Sequence, residues 1–201
     1  MKLIFVGPQG SGKGTQGKIL SKKFGLAHIS MGDLLRNAKG ERKEKINQFI
    51  NQGELVPIDL TIELISERIK DKDCENGFIF DGFPRTIEQA KELDKIVKID
   101  KAIEISITDE LGVKRLANRW SCKGCGEPYN AITKKPDVEG KCNKCGGELY
   151  QREDDKPEAI KKRLEIYHKE TEPILKHYDS VKVDGGQEID DVTKDILKIL
   201  K

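Results

Sequence analysis

Three short stretches of the sequence carry residue types whose spacing could do chemistry. In "FVGPQGSGKGTQ", glycines at 7, 10, 12 and 14 let the backbone turn its N–H groups inward. That makes a cradle for phosphate oxygens, and the N-terminus of a following helix adds partial positive charge. Lys13 stands between Gly10, Ser11 and Gly12 on one side and Gly14 and Thr15 on the other, placed to reach the outer phosphates of a nucleoside triphosphate. The common phosphate-loop pattern has Ser or Thr directly after the Lys, whereas here Gly14 intervenes and the hydroxyl arrives at Thr15. In "FIFDGFPRT" an apolar run ends in Asp81, where a phosphate-loop protein keeps the carboxylate that organises Mg²⁺.

The third stretch is a pair of C-x-x-C knuckles, Cys122 with Cys125 and Cys142 with Cys145. Their spacing fits a tetrahedral four-thiolate zinc site, with an iron–sulfur centre, another metal or four unligated thiols as the alternatives. Filling all four positions with protein leaves none open for water or substrate, so the expected role is structural. About 35 residues with few large apolar side chains cannot build a core of their own, so metal would supply the folding energy of this stretch. The fifth cysteine, Cys74, is expected as a small buried residue.

Composition narrows the function classes. Lys and Arg number 37 against 35 acids, a net charge of +2, which gives no electrostatic case for DNA or an anionic membrane as principal partner. The apolar run near the N-terminus, "LIFV", is too short for a signal peptide, and no stretch approaches a membrane span. A cytoplasmic location with reduced thiols is therefore expected.

The elements that must position these residues alternate between strand and helix. Residues 2–6, 77–81, 101–107 and 181–183 read as short buried strands. Helices are expected over 13–24 with Gly25 as its cap, 33–51, a span capped by Asp59, 86–97, 109–118, a long one from Pro157 that Pro173 kinks or breaks, and 189–200. Residues 119–153 lack helical period. This alternation predicts an α/β fold with a parallel sheet flanked by helices on both faces.

Four motifs, "GPQGSGKGTQ", "ISMGDLLR", "DGFPRTIEQ" and "QREDDKPEAIKKR", come in the order and spacing of the adenylate kinase family, and the resemblance covers essentially the whole chain. The cysteine-bearing insert resembles the long-lid bacterial form with zinc. The resemblance implies a P-loop NTPase core with a helical monophosphate-binding segment and a small zinc-braced lid. The implied division is core 1–29, monophosphate-binding segment 30–59, core 60–118, lid 119–153 and core 154–201. The activity implied is Mg-ATP + AMP ⇌ 2 ADP by a monomer, with ATP, AMP and ADP as its partners.

By the same resemblance, Gly10 to Thr15, Arg119, Tyr129 and Gln187 would bind ATP. Ser30, Met31, Arg36, Glu54, Leu55, Val56, Gly82, Arg85, Gln89, Arg152 and Arg163 would bind AMP. Asp33 and Asp81 would hold Mg²⁺ through waters. Lys13, Arg85, Arg119, Arg152 and Arg163 would stabilise the charge of the transferred phosphoryl group, since such chemistry needs mainly alignment and neutralisation. Each has a plainer reading: Gln89 closes a capping box with Thr86, Arg152 and Arg163 pair with nearby acids at the surface, and Arg36 is solvated on its helix.

Two positions depart from the family pattern. Met31 replaces a threonine that contacts the monophosphate base, and Trp120 follows Arg119 where a second arginine is common. The rival functions are a monophosphate kinase of other base specificity, a nucleotide sensor without catalysis, and a nucleic-acid-binding P-loop ATPase with a zinc ribbon. Residues 119–153 hold seven basic against five acidic side chains, a weak platform for the last.

Overall fold

A computed structural model describes residues 1–200. Its centre is a five-stranded sheet of β1 (Lys2–Val6), β2 (Ala27–Ser30), β3 (Phe78–Asp81), β4 (Lys101–Ser106) and β8 (Val181–Asp184). The order is β2-β3-β1-β4-β8, and every pairing is parallel. Side chains of β1 alternate between two cores. Ile4 and Val6 join one with Phe80 and Phe83, while Leu3 and Phe5 join the other with Ile79, Ile103 and Ile105. Burial on both faces explains why these strands read as unbroken apolar runs.

From β1 the chain goes first to β2 and β3 on one side, and later to β4 and β8 on the other. The loop after β1 therefore lies at the switch point, where parallel sheets open a crevice beyond the strand ends. Helix α1 (Lys13–Phe24) starts there and ends at Gly25 in the left-handed region, as its sequence requires.

Several expectations need correction. β2 is a fifth strand over "AHIS", with Ala27 and Ile29 buried and His28 and Ser30 less so. Its alternation is genuine, but four residues are too few to stand out. The helix expected over 33–51 is two, α2 (Met31–Asn37) and α3 (Glu41–Ile50), parted at Gly40 with φ 60°. Pro57, not Asp59, precedes helix α4 (Ile58–Arg68), and Asp59 lies in its first turn.

Helices α5 (Ile87–Ile96) and α6 (Asp109–Ala117) are capped by the Thr86 and Thr108 hydroxyls. Helix α7 (Pro157–Ile166) runs into a π-turn over Tyr167–Thr171 before Pro173 begins the short α8 (Ile174–His177). The chain closes with α9 (Ile189–Ile199). No described helix is long and apolar enough to cross a membrane.

Between α6 and α7 stands a small antiparallel sheet, β5 (Arg119–Cys122), β6 (Pro128–Asn130) and β7 (Leu149–Tyr150), in the order β6-β5-β7. Its buried apolar residues are Cys122, Tyr129, Cys142 and Leu149, with Ser121 buried beside them.

Candidate active site

The phosphate loop leaves β1 at Gly7, whose φ of 152° brings it so close to β4 that a Cβ would lie 2.2 Å from the Ile105 carbonyl. No other residue fits, and the loop is thereby seated on the sheet. Lys13 Nζ folds over the loop, donating to the carbonyls of Gly7 at 2.7 Å and Pro8 at 2.8 Å. Burial pulls its ammonium down to about 8, with Asp81 opposing and Arg85, Arg163 and Arg119 adding to the fall.

Asp81 ends β3 beside the loop, its Oδ2 only 3.1 Å from where a Cβ on Gly14 would stand. Burial pushes its carboxyl up, but His28, Lys13 and Arg85 more than offset this, so it titrates below the usual carboxylate range. Ser30 is its register partner on β2, and the Ser30 hydroxyl caps α2 by accepting from Asp33 N. Asp33 in turn pairs with Arg36 at 2.7 Å.

Arg36 is one of five arginines in and around this crevice, with Arg85, Arg119, Arg152 and Arg163. Arg119 makes a two-point bond to Asp155, with Nε at 2.8 Å and NH2 at 2.5 Å. Arg163 donates to the Asp154 carbonyl at 2.7 Å and pairs with both Asp154 and Asp155. Arg85 and Arg152 differ from these: Arg85 Nε goes to the Gly82 carbonyl at 2.8 Å and Arg152 Nε to the Ser121 hydroxyl at 2.9 Å. Among the described residues neither has a carboxylate partner. Burial, followed by neighbouring guanidinium groups, pulls both down to about 10, so they remain charged at neutral pH.

A second recess adjoins the arginines. Met31, Leu35 and Ile50 line it from α2 and α3, Glu54, Leu55 and Val56 from the loop before α4, and Thr61, Gly82, Phe83, Arg85 and Gln89 from the far side. Most of the residues that the resemblance implies for AMP thus meet in one place. Ser30, Arg36, Arg152 and Arg163 lie outside its lining. Gln89 does meet the Thr86 hydroxyl through its backbone N–H, yet its side chain turns inward to accept from Arg85 N at 2.8 Å. The capping pattern and the pocket are both present.

Two expected ATP residues behave differently. Tyr129 is buried inside the small sheet, where its hydroxyl donates to Cys142 Sγ at 3.4 Å and accepts from Asn143 N at 2.7 Å. Its hydroxyl thus reaches the cysteine cluster. Gln187 lies in the turn after β8, tied to the Asp184 carbonyl and to Asp195. Arg115, which the sequence did not single out, links that turn to the phosphate loop by donating to the carbonyls of Gly185 and Gly10. Asp154 and Asp155 were also passed over, although they stand in a quoted motif. Their role as arginine holders depends on the turn after β7, which no sequence period announces.

The four cysteine sulfurs all lie within 4.8 Å of one another, with Cys122–Cys145 at 3.4 Å and Cys125–Cys142 at 3.6 Å. A tetrahedron with Zn–S bonds near 2.3 Å has edges of about 3.8 Å, so the cluster is of the right size. A Cβ on Gly147 would come within 2.9 Å of Cys122 Sγ. The hydrogen bond from Tyr129 holds the Cys142 thiol down to about 6, which favours the thiolate that a metal needs.

The family model described as adenylate kinase matches residues 5–183. A protein of Caldicellulosiruptor bescii named adenylate kinase is 47% identical, with 100% of this chain and 99% of that one covered. Adenylate kinases of Thermosipho melanesiensis and Archaeoglobus fulgidus are 44% and 45% identical, again across all of this chain and 100% and 98% of theirs. Phosphate loop, arginine crevice and sulfur cluster therefore sit in a chain of matching length and pattern, and the chain belongs to the adenylate kinase family.

Proposed function

We propose that the chain transfers the terminal phosphoryl group of Mg-bound ATP to AMP, giving two ADP, and that the reverse reaction uses the same site. The observation that carries this is the pair Arg85 and Arg152, two half-buried guanidiniums held only by neutral acceptors between a phosphate loop and the recess lined by Met31, Val56 and Gln89. Six cationic side chains, Lys13, Arg36, Arg85, Arg119, Arg152 and Arg163, face four carboxylates, Asp33, Asp81, Asp154 and Asp155, in and around the crevice. Such an excess suits the phosphates of two nucleotides meeting head on.

In this reading the loop from Gly10 to Thr15 cradles the ATP phosphates, and Lys13 leaves the Gly7 and Pro8 carbonyls for the outer phosphates. Arg119 and Arg163, aligned by Asp155 and Asp154, close on the transferred group with Arg85 and Arg152. The AMP base enters the recess of Met31, Val56 and Gln89. Asp33 and Asp81 would hold the waters of a Mg²⁺ ion, whose charge helps to neutralise the phosphate oxygens. Hard oxygen donors at the mouth of the loop fit that ion.

Cys122, Cys125, Cys142 and Cys145 would hold zinc as a brace. Residues 119–153 then act as one lid over the ATP side and residues 30–59 as a second mobile part over AMP, both carried by a core of 1–29, 60–118 and 154–201. We take the working form to be a cytoplasmic monomer without nucleic-acid partners.

The test is to mix Mg-ATP with AMP, CMP, UMP and GMP in turn and measure diphosphate. Production with AMP is expected. ATP hydrolysis stimulated by DNA, with no transfer to any monophosphate, would overturn the proposal.

A further inference from the structure

In the recess, position 31 brings a thioether in place of a hydroxyl, yet one buried hydroxyl is present. It belongs to Thr61 on α4, 3% exposed, against which Gln89, 4% exposed, lays its carboxamide. Gln89 Oε1 accepts from Arg85 N at 2.8 Å, and Gln89 Nε2 donates to Thr61 Oγ1 at 3.4 Å. The Thr61 proton is committed to the Ile58 carbonyl at 2.8 Å, so its oxygen offers Gln89 only a lone pair.

A flipped carboxamide would set oxygen against oxygen at Thr61 and N–H against N–H at Arg85. Leaving such buried groups mismatched costs free energy in either place. The amide orientation is therefore locked from both ends. Each of its atoms keeps spare capacity, one proton on Nε2 and one lone pair on Oε1.

We infer that Thr61 is a positioning residue for base selection, holding Gln89 in the one orientation that reads an acceptor beside an exocyclic amine. Adenine presents that pattern through N1 and its 6-amino group, and cytosine through N3 and its 4-amino group. Guanine and uracil present the reverse, an N–H beside a carbonyl oxygen. The lock thus opposes guanine and uracil, and leaves cytosine to be disfavoured only by the smaller apolar surface its single ring can bury. A site whose polar groups would be left unpaired rejects the wrong partner far better than an apolar wall does. In the absence of a threonine at position 31, this is the hydroxyl that orients Gln89, together with the Arg85 backbone N–H.

The inference rests on the assignment of this recess to the monophosphate base, and the experiment keeps the two apart. Thr61→Val, nearly the same shape, is compared with wild type, Thr61→Ser and Gln89→Leu for kcat/KM on AMP, CMP, GMP and UMP. In Thr61→Val the preference for AMP over GMP and over UMP falls by about threefold to tenfold, the AMP-to-CMP ratio stays constant, and Thr61→Ser restores wild-type ratios. A purely structural role would lower all four substrates together, and that result overturns the inference. If Thr61→Val keeps every ratio while Gln89→Leu collapses them, the inference falls and the base site stands. If neither variant moves a ratio, the base site falls and takes the inference with it.

Discussion

The five-stranded core and the small sheet of residues 119–150 solve the same problem by different physics. In the core, Leu3, Ile4, Phe5, Ile79, Phe80 and Ile103 are all but fully buried on both faces of the sheet. There, removal of apolar surface from water supplies the stability. The apolar cluster of the small sheet is only Cys122, Tyr129, Cys142 and Leu149, two of which are thiols. Four such residues cannot offset the chain entropy of more than thirty ordered ones. On the proposed reading such a region folds around an ion, and its stability would then be switched without touching the rest.

Removing the metal is the sharpest break of this contrast. Chelation, or Cys142→Ser, is expected to withdraw on the order of 10 kcal/mol from the small sheet alone. Circular dichroism and limited proteolysis should find residues 119–153 unfolded and the parallel sheet intact. Phosphoryl transfer should drop steeply, because Arg119 and Arg152 are carried on that region. A single cooperative unfolding with an unchanged midpoint after chelation would refute the division.

The converse change strikes the core. Phe80→Ala opens a cavity at the centre of the sheet and should cost about 3–5 kcal/mol, read as a lower midpoint in denaturant. Metal stoichiometry per folded molecule should not move. A metal-release midpoint that falls in step with the lowered core midpoint would join the two regions into one unit.

A third effect belongs to the crevice between them. In the nucleotide-free protein the Lys13 ammonium titrates at about 8, far below its ordinary value, because it is buried. Above that pH the free protein loses the charge and must take up a proton to bind phosphate. Affinity for ATP should therefore weaken by up to about tenfold per pH unit above 8, with proton uptake on binding. Calorimetry in buffers of different ionisation heat measures both, and a flat affinity between pH 7 and 9.5 would remove the effect.

The smallest effect concerns charge at the core surface. His168 joins Glu172 at 2.9 Å to Asp109 at 3.0 Å, and the hydrogen bond with Glu172, with Asp109 adding, raises its imidazole above the usual value against some burial. A raised value means stability that is fully present below the unfolded value of about 6.5 and is lost as pH rises through the folded one. Half-exposed as it is, the pair should contribute no more than about 1 kcal/mol. His168→Leu should lower the melting temperature slightly at pH 5.5, and the difference from wild type should vanish by pH 9. A difference that persists there would assign it to packing.

Legibility followed the same division. The strands of the core were readable because burial on both faces demands continuous apolar runs, as in "LIFV" and "FIF". β2 escaped because it is short and keeps one face polar. The phosphate loop was readable because its glycines answer a local demand, seen at Gly7 against Ile105. The cysteine cluster was readable because ligand spacing is itself local. Thr61 was not readable, since a threonine inside an amphipathic helix looks like any half-buried residue until Gln89 is laid against it. The hydroxyl partner of Tyr129 was hidden for the same reason: its motif position says that it belongs to the lid, and only packing brings it to Cys142.

The sequence by itself thus determined which chemistry is present: a phosphate cradle, a carboxylate at the end of a strand, arginines in set motifs and four metal-ready thiols. Each of these depends on neighbours a few residues away, where the covalent chain already limits geometry. Tertiary structure alone decided which arginines are clamped by Asp154 and Asp155 and which meet only neutral acceptors. It also decided which way Gln89 faces, and that Tyr129 serves a sulfur. Those outcomes depend on groups up to 36 residues apart, whose meeting is set by how the elements pack and not by any spacing along the chain.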